Sequence, residues 1–299
     1  MTIHPLNSSA NFLGITDNLS SLKRAKYVIL PVAFERTTSY MKGTRFGPAK
    51  LLEASRQLEF FDEELKIETF KSHPIATLPI IKPRKSETTG SFFSRIRSIV
   101  RFIYEKGKFP ILLGGEHSIT MAPVQALSRQ YKDLSVLHFD AHADLRQDYE
   151  GTPFNHACAL RRSLEHASKG VAIGIRNIDS DEFKWAKAHK DRVKMFVHNG
   201  AYTLKDITPK VLNALGKKVY ITIDLDGFDP SIMPGVGTPQ PGGIQWHEAL
   251  RFFKQVFRSR DVVGFDIMEL CPIPNSVVSE FTAAKLLYRL LGYKALLSR

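Results

Sequence analysis

The sequence predicts a three-layer α/β fold in which helices cover both faces of a mostly parallel sheet of about eight strands. Short apolar, β-branched runs recur along the chain, and they are continuously apolar rather than alternating, as in strands buried on both faces. Helical patterns lie between them, as βαβ crossovers require. Acids and histidines gather immediately after four of the runs, where an open parallel sheet binds its ligands.

In chain order, strands are expected at 27–34 and 75–80, followed by a helix over 91–104. A strand at 109–114 leads into a helix over 118–131, and the strand at 134–139 follows. Next come a strand at 170–175, a helix at 181–189, a strand at 194–199 and a helix at 204–215. Strand 219–223, helix 246–257, strand 262–267 and helix 276–291 complete the set. Several helices open at a residue that can cap free amide groups, namely Ser91, Ser118, Asp181 and Ser276.

Bulk properties narrow the class. The chain has 299 residues, 43% hydrophobic and 24% charged, with no linker, composition break or internal repeat, so 1–299 reads as a single domain. No secretory leader pattern and no apolar stretch of roughly 18 residues is present, so a cytoplasmic protein without a membrane partner is expected. Two cysteines, Cys158 and Cys271, are too few for a disulfide framework and read as small packing residues in a reducing compartment. The net charge is +12, but Lys and Arg are scattered and no nucleic-acid motif accompanies them, so no nucleic-acid partner is expected. A cationic substrate then needs a local acidic field at the site.

That field is written in the motifs. Asp140, His142 and Asp144 follow strand 134–139, Asp224 and Asp226 follow strand 219–223, His117 follows strand 109–114, and Glu269 follows strand 262–267. Carboxylates this close repel one another unless divalent cations neutralise them. Oxygen ligands with two imidazoles and no thiolate favour manganese over structural zinc. Six protein ligands for two ions require bridging carboxylates, and a cation pair acidifies a water held between them. His138 points to the same strand face as Asp140 and is assigned a supporting, buried role, while Asp229 before Pro230 reads as a turn former.

The motifs Gly-Gly-Glu-His-Ser at 114–118, Asp-Ala-His-Ala-Asp at 140–144 and Asp-Leu-Asp-Gly-Phe-Asp-Pro at 224–230 resemble the three signatures of the ureohydrolase family. The likeness extends to Thr-Thr-Ser-Tyr at 37–40, Gly-Thr-Arg-Phe-Gly-Pro at 43–48, Met-Pro-Gly-Val-Gly-Thr-Pro at 233–239 and Asp-Ile-Met-Glu at 266–269, and so to nearly the whole chain. It implies hydrolysis of a guanidino group to urea and an amine by two Mn2+ ions, in a homo-oligomer, trimer or hexamer. By the same resemblance His117, Asp140, Asp144 and Asp224 hold one ion, and Asp140, His142, Asp224 and Asp226 the other. His156 takes the place of the family's proton shuttle, and Glu269 that of the carboxylate holding the guanidinium.

The resemblance is to the agmatinase branch, whose products from agmatine are urea and putrescine. Arginase, guanidino-acid and aminopropylagmatine hydrolysis are the alternatives, with a non-catalytic regulatory paralogue or another metallohydrolase of the same fold beyond them. Arg146 stands where arginases carry an asparagine for the substrate's α-carboxylate, and Ala157-Cys158 replaces the Gly-Thr usual after the shuttle histidine. Substrate-tail contacts are therefore expected from Arg146, Glu150 and Asp179, with Arg146–Glu150 pairing and an N-cap role for Asp179 as the plainer readings.

Overall fold

The computed structural model describes residues 4–297. Its strands are β1 (Tyr27–Pro31), β2 (Ile75–Thr77), β3 (Phe109–Leu113), β4 (Ser135–Phe139), β5 (Lys169–Ile175), β6 (Val193–Val197), β7 (Lys218–Asp224) and β8 (Asp261–Met268). They form one sheet in the order β2-β1-β3-β8-β7-β4-β5-β6, and every neighbouring pair is parallel.

Continuous apolarity has the expected cause: successive side chains leave the pleat on opposite faces, and both faces are covered. Ile29, Ile111, Leu137, Phe139, Val171 and Ile221 pack on one side with helices Gly47–Ser55, Leu204–Ala214, Trp246–Ser259 and Val278–Leu297. Their neighbours Val28, Leu30, Leu112, Val136, Ala172 and Tyr220 pack on the other with Thr89–Glu105, Met121–Ser128, Ala159–Ser163 and Ser180–Ala188. Helix Trp246–Ser259 presents Ala249, Leu250, Phe252, Phe253, Val256 and Phe257 as one buried stripe. Burying each of its phenylalanines contributes about 1.5–3 kcal/mol.

Several boundaries move for identifiable reasons. The expected strand 27–34 ends at Pro31, because the chain changes partner: Val32 N–H donates to Leu113 O (2.8 Å), but Ala33 N–H donates to Ile81 O (2.8 Å). The strand expected at 75–80 shortens to Ile75–Thr77; Leu78 N–H still reaches Ile29 O (2.8 Å), and Pro79 has no N–H to continue. The expected helix 118–131 divides into a 3-10 turn, His117–Thr120, and the α-helix Met121–Ser128. Helix Gly47–Ser55, opening with Pro48, was not anticipated, and the last helix runs to Leu297.

Strand order positions the site. β4 follows β3 in the chain but sits three places away, and β8 and β7 fill the gap. The strands preceding His117, Glu269, Asp224 and Asp140 are thus consecutive in the sheet, at a topological switch point where loops diverge outside the carboxyl ends.

Candidate metal centre

Register puts the first two acids side by side. Phe139 pairs with Ile223 between β4 and β7, so Asp140 and Asp224 follow at the same level. Each is held through one oxygen by the backbone: Asp140 Oδ1 accepts from His142 N (2.6 Å) and Asp224 Oδ1 from Asp226 N (2.9 Å). Asp226 Oδ1 likewise accepts from Ala141 N (3.1 Å). The second oxygens then turn inward. Asp140 Oδ2 and Asp224 Oδ2 each lie 3.0 Å from His117 Nδ1, Asp144 Oδ2 lies 3.3 Å from it, and Asp226 Oδ2 lies 2.9 Å from His142 Nδ1.

The remaining members arrive from β3 and β8. Gly115 permits the approach of the β1 loop, since a Cβ there would stand 1.9 Å from Phe34 O. His117 then opens its 3-10 turn, and its N–H donates to Glu269 Oε1 (2.6 Å). Glu269 and Asp144 both hold left-handed backbone, at φ 65° and 51°, a conformation that costs a non-glycine residue energy and clusters at functional sites.

The imidazole of His117 is set from behind. Thr222 Oγ1 donates to Asp266 Oδ1 (2.6 Å), so it accepts from His117 Nε2 (2.7 Å), and Nδ1 is turned toward the acids. Tyr220 and Thr120 hydroxyls complete Asp266, at 2.8 and 2.9 Å from Oδ2. His138, fully buried, stacks on His117 at 5.1 Å, with Nε2 3.1 Å from Asp140 Oδ2.

Electrostatics shows what this set requires. Burial, reinforced by the neighbouring aspartates, pushes Asp144 and Asp224 well above the ordinary carboxylate range, and burial with Asp224 and Glu116 does the same to Glu269. Burial opposes charge on the imidazoles, but Asp140 and Asp224 outweigh it at His117, and Asp226 and Asp140 raise His142 to about 12. Asp140 stays well below its usual range despite burial because His138, His117 and His142 surround it. Asp140 Oδ2 is nevertheless buried without a hydrogen bond of proper alignment. The donor atoms of Asp140, His142 and Asp226, and those of His117, His138 and Asp140, lie within 4.8 Å of one another. Hard oxygens, aligned imidazoles and an unsatisfied buried carboxylate oxygen fit divalent cations.

A cavity of about 210 Å³ opens over these groups, lined by His142, Asp144, His156, Asp224, Asp226 and Glu269. Asn155 caps the 3-10 turn that carries His156 by accepting from Ala157 N (3.0 Å). Burial, with His142 and His117 nearby, lowers His156 to about 4, and its buried Nε2 has no partner. Arg146 and Asp179 line the same cavity. Asp179 Oδ1 caps helix Ser180–Ala188 at Asp181 N (2.8 Å), while Oδ2 faces Arg146 Nη2 at 3.7 Å. The expected Arg146–Glu150 pairing gives way to this contact and to the Tyr149 ring, 4.6 Å under the guanidinium. Glu150 turns the chain at φ 50°, next to Gly151, and lies outside the cavity lining.

Sequence reasoning overlooked the roles of Thr222, Asp266, Tyr220 and Thr120 behind His117, of Glu116 and Thr37 beside the loop carrying His156, and of Glu182 in the cavity wall. The one local signal is a polar residue set within an otherwise apolar run, Thr222 in β7 and Asp266 in β8. Asp229 makes the expected turn, its Oδ1 accepting from Ser231 N at 3.0 Å.

The Arginase family pattern matches residues 25–292. The chain belongs to the arginase family. Among curated relatives, the N(1)-aminopropylagmatine ureohydrolase of Synechocystis is 39% identical over 282 residues, 93% of this chain and 92% of the relative. The agmatinase of Bacillus subtilis is 35% identical over 277 residues, 90% of this chain and 92% of the relative. Among solved structures, the agmatine ureohydrolase of Thermoplasma volcanium superimposes with a TM-score of 0.82 at 30% identity, covering 98% of this chain and 95% of that one. Arginase-family proteins are binuclear metal hydrolases, and this chain is a hydrolase acting on guanidino C–N bonds. The three-layer fold expected from its sequence is the one its structural relatives share. No described helix is long and apolar enough to cross a membrane.

Proposed function

We propose that the protein hydrolyses the guanidino group of agmatine to urea and putrescine with two manganese ions. His117, Asp140, Asp144 and Asp224 would hold one ion, and Asp140, His142, Asp224 and Asp226 the other. The observation that carries this reading is the convergence of the four inward Oδ2 atoms on His117 and His142. When bound, such a pair supplies a water acidified toward neutrality and a positive field for charge developing at the guanidino carbon.

The chain's own groups do the rest. Glu269 spends Oε1 on His117 N, which leaves Oε2 to hold the cationic guanidinium by a charge-assisted hydrogen bond. His156 Nε2, buried and unpartnered, takes a proton from the attacking water and delivers it to the departing nitrogen. Depression to about 4 keeps this imidazole neutral, and so able to accept, at neutral pH.

The tail assignment follows from Arg146. A free guanidinium there would favour a substrate carboxylate, whereas Asp179 and the Tyr149 ring engage it, and Glu182 adds a second acid to the cavity wall. An amine tail suits that wall. A longer amine, as in aminopropylagmatine, is the second reading, favoured by the 39% identity to the relative bearing that name. The two free cysteines, both buried, support a cytoplasmic enzyme, and we extend the reading to one domain over 1–299 assembled as a trimer or hexamer.

Urea release by the Mn-loaded protein from agmatine, aminopropylagmatine, arginine and guanidinobutyrate tests the proposal. Highest kcat/KM on either amine-tailed compound supports an amine-binding wall, and agmatine above its aminopropyl derivative supports the first reading. Preference for arginine or guanidinobutyrate overturns it.

A further inference from the structure

We infer that Thr37, itself fixed by Glu116, is a positioning residue for His156; the inference rests on the proton-transfer role proposed above. Glu116 is fully buried, and its carboxylate accepts four hydrogen bonds. Arg36 N and Thr37 N donate to Oε2 at 2.5 and 2.6 Å, while Thr37 Oγ1 and Ser118 Oγ donate to Oε1 at 2.6 Å each. Thr37 has one hydroxyl hydrogen, and Glu116 takes it. The same oxygen can therefore only accept, and it accepts from His156 N at 3.1 Å.

This chain of bonds joins three distant segments: the turn carrying His117, the loop after β1, and the loop carrying His156. On the other side of that turn, Glu269 holds His117 N. Adjacent residues, Glu116 and His117, thus refer the proposed shuttle and the proposed guanidinium carboxylate to one rigid turn. Among the described residues the His156 side chain has no hydrogen-bond partner at Nε2, so its placement relies on the backbone bond to Thr37. Charge-assisted bonds to a buried carboxylate hold well for this purpose.

The test is a double-mutant cycle in the metal-loaded enzyme, reading kcat and KM for agmatine together with ion content and Tm. Thr37→Val removes the hydroxyl at nearly constant volume. We expect kcat to fall about 10- to 100-fold, the range for a misplaced reacting group, with KM and ion content little changed. Thr37→Ser restores turnover, because it returns the hydroxyl. In a His156→Ala background Thr37→Val then produces no further loss, since the group it positions is gone. An equal loss in both backgrounds overturns the inference, as does failure of Thr37→Ser to rescue. Thr37→Ala completes the same cycle where valine prevents folding. Wild-type turnover in His156→Ala alone would instead sink the shuttle reading, so the two failures are distinguishable.

Discussion

Asp140 and Asp224 are matched across β4 and β7: each surrenders Oδ1 to a backbone N–H two residues onward and aims Oδ2 at His117 Nδ1 from 3.0 Å. Two neighbouring Asp-x-His/Asp segments therefore do the same thing geometrically. The i+2 amide fixes the carboxylate's rotation, and the free oxygen is presented where positive charge is needed.

Replacing Asp224 by Asn tests that arrangement. The variant is expected to lose bound metal and urea production together, by at least about 100-fold, because a bridging donor costs more than an outer partner. Without metal it should be the more stable protein, since burial and the adjacent Asp226 and Asp140 disfavour charge at Asp224. Elemental analysis with unfolding in chelator measures both; full activity with two ions bound would contradict the ligand assignment.

Metal uptake should release protons. Free of metal, His117 and His142 are held above the ordinary imidazole value, and Asp144, Asp224 and Glu269 above the carboxylate range, so the empty cluster retains protons near neutrality. Cations bind only the deprotonated groups, so apparent affinity rises with pH across about pH 6 to 8. Titration calorimetry in buffers of different ionisation enthalpy reads the proton count, and a count of zero would refute this account.

His156→Ala is expected to keep its metal while turnover falls by roughly 10² to 10⁴, the usual contribution of a general acid–base group. Turnover equal to wild type would remove the shuttle.

His156 also carries a stability signature. With a folded value lowered to about 4, the unfolded chain binds a proton below about pH 6.5 that the folded chain refuses, so stability declines as pH falls through that window. The loss approaches about 3 kcal/mol by pH 4. His156→Gln should flatten this part of the pH–stability curve of the metal-free protein, and an unaltered slope would show that His156 is not the group responsible.

Glu269→Gln keeps an oxygen for His117 N–H but removes the negative charge facing the guanidinium. Metal content should be unchanged while kcat/KM falls about 10- to 100-fold, the range for one partner of a charge-assisted pair. Equal kcat/KM in variant and parent would exclude Glu269 from substrate binding.

Much of the molecule was legible in the amino-acid order. Runs such as Val219 to Ile223 declare a strand covered on both faces, and an acid or histidine just past such a run declares a site at the strand's end, because both are local patterns read within a few residues. Which strands stand together is another matter. The succession β3-β8-β7-β4 depends on pairings between residues 43 to 154 positions apart, and side-chain alternation carries no record of a strand's neighbour. For the same reason the tertiary structure alone decided that Arg146 meets Asp179 rather than the nearby Glu150, that Thr222 and Asp266 orient His117, and that Glu116 reaches Thr37 and through it His156. Hydrogen bonds and charge pairs form between whichever polar groups the packed backbone brings within about 3 to 4 Å, and that proximity exists only once the sheet has closed.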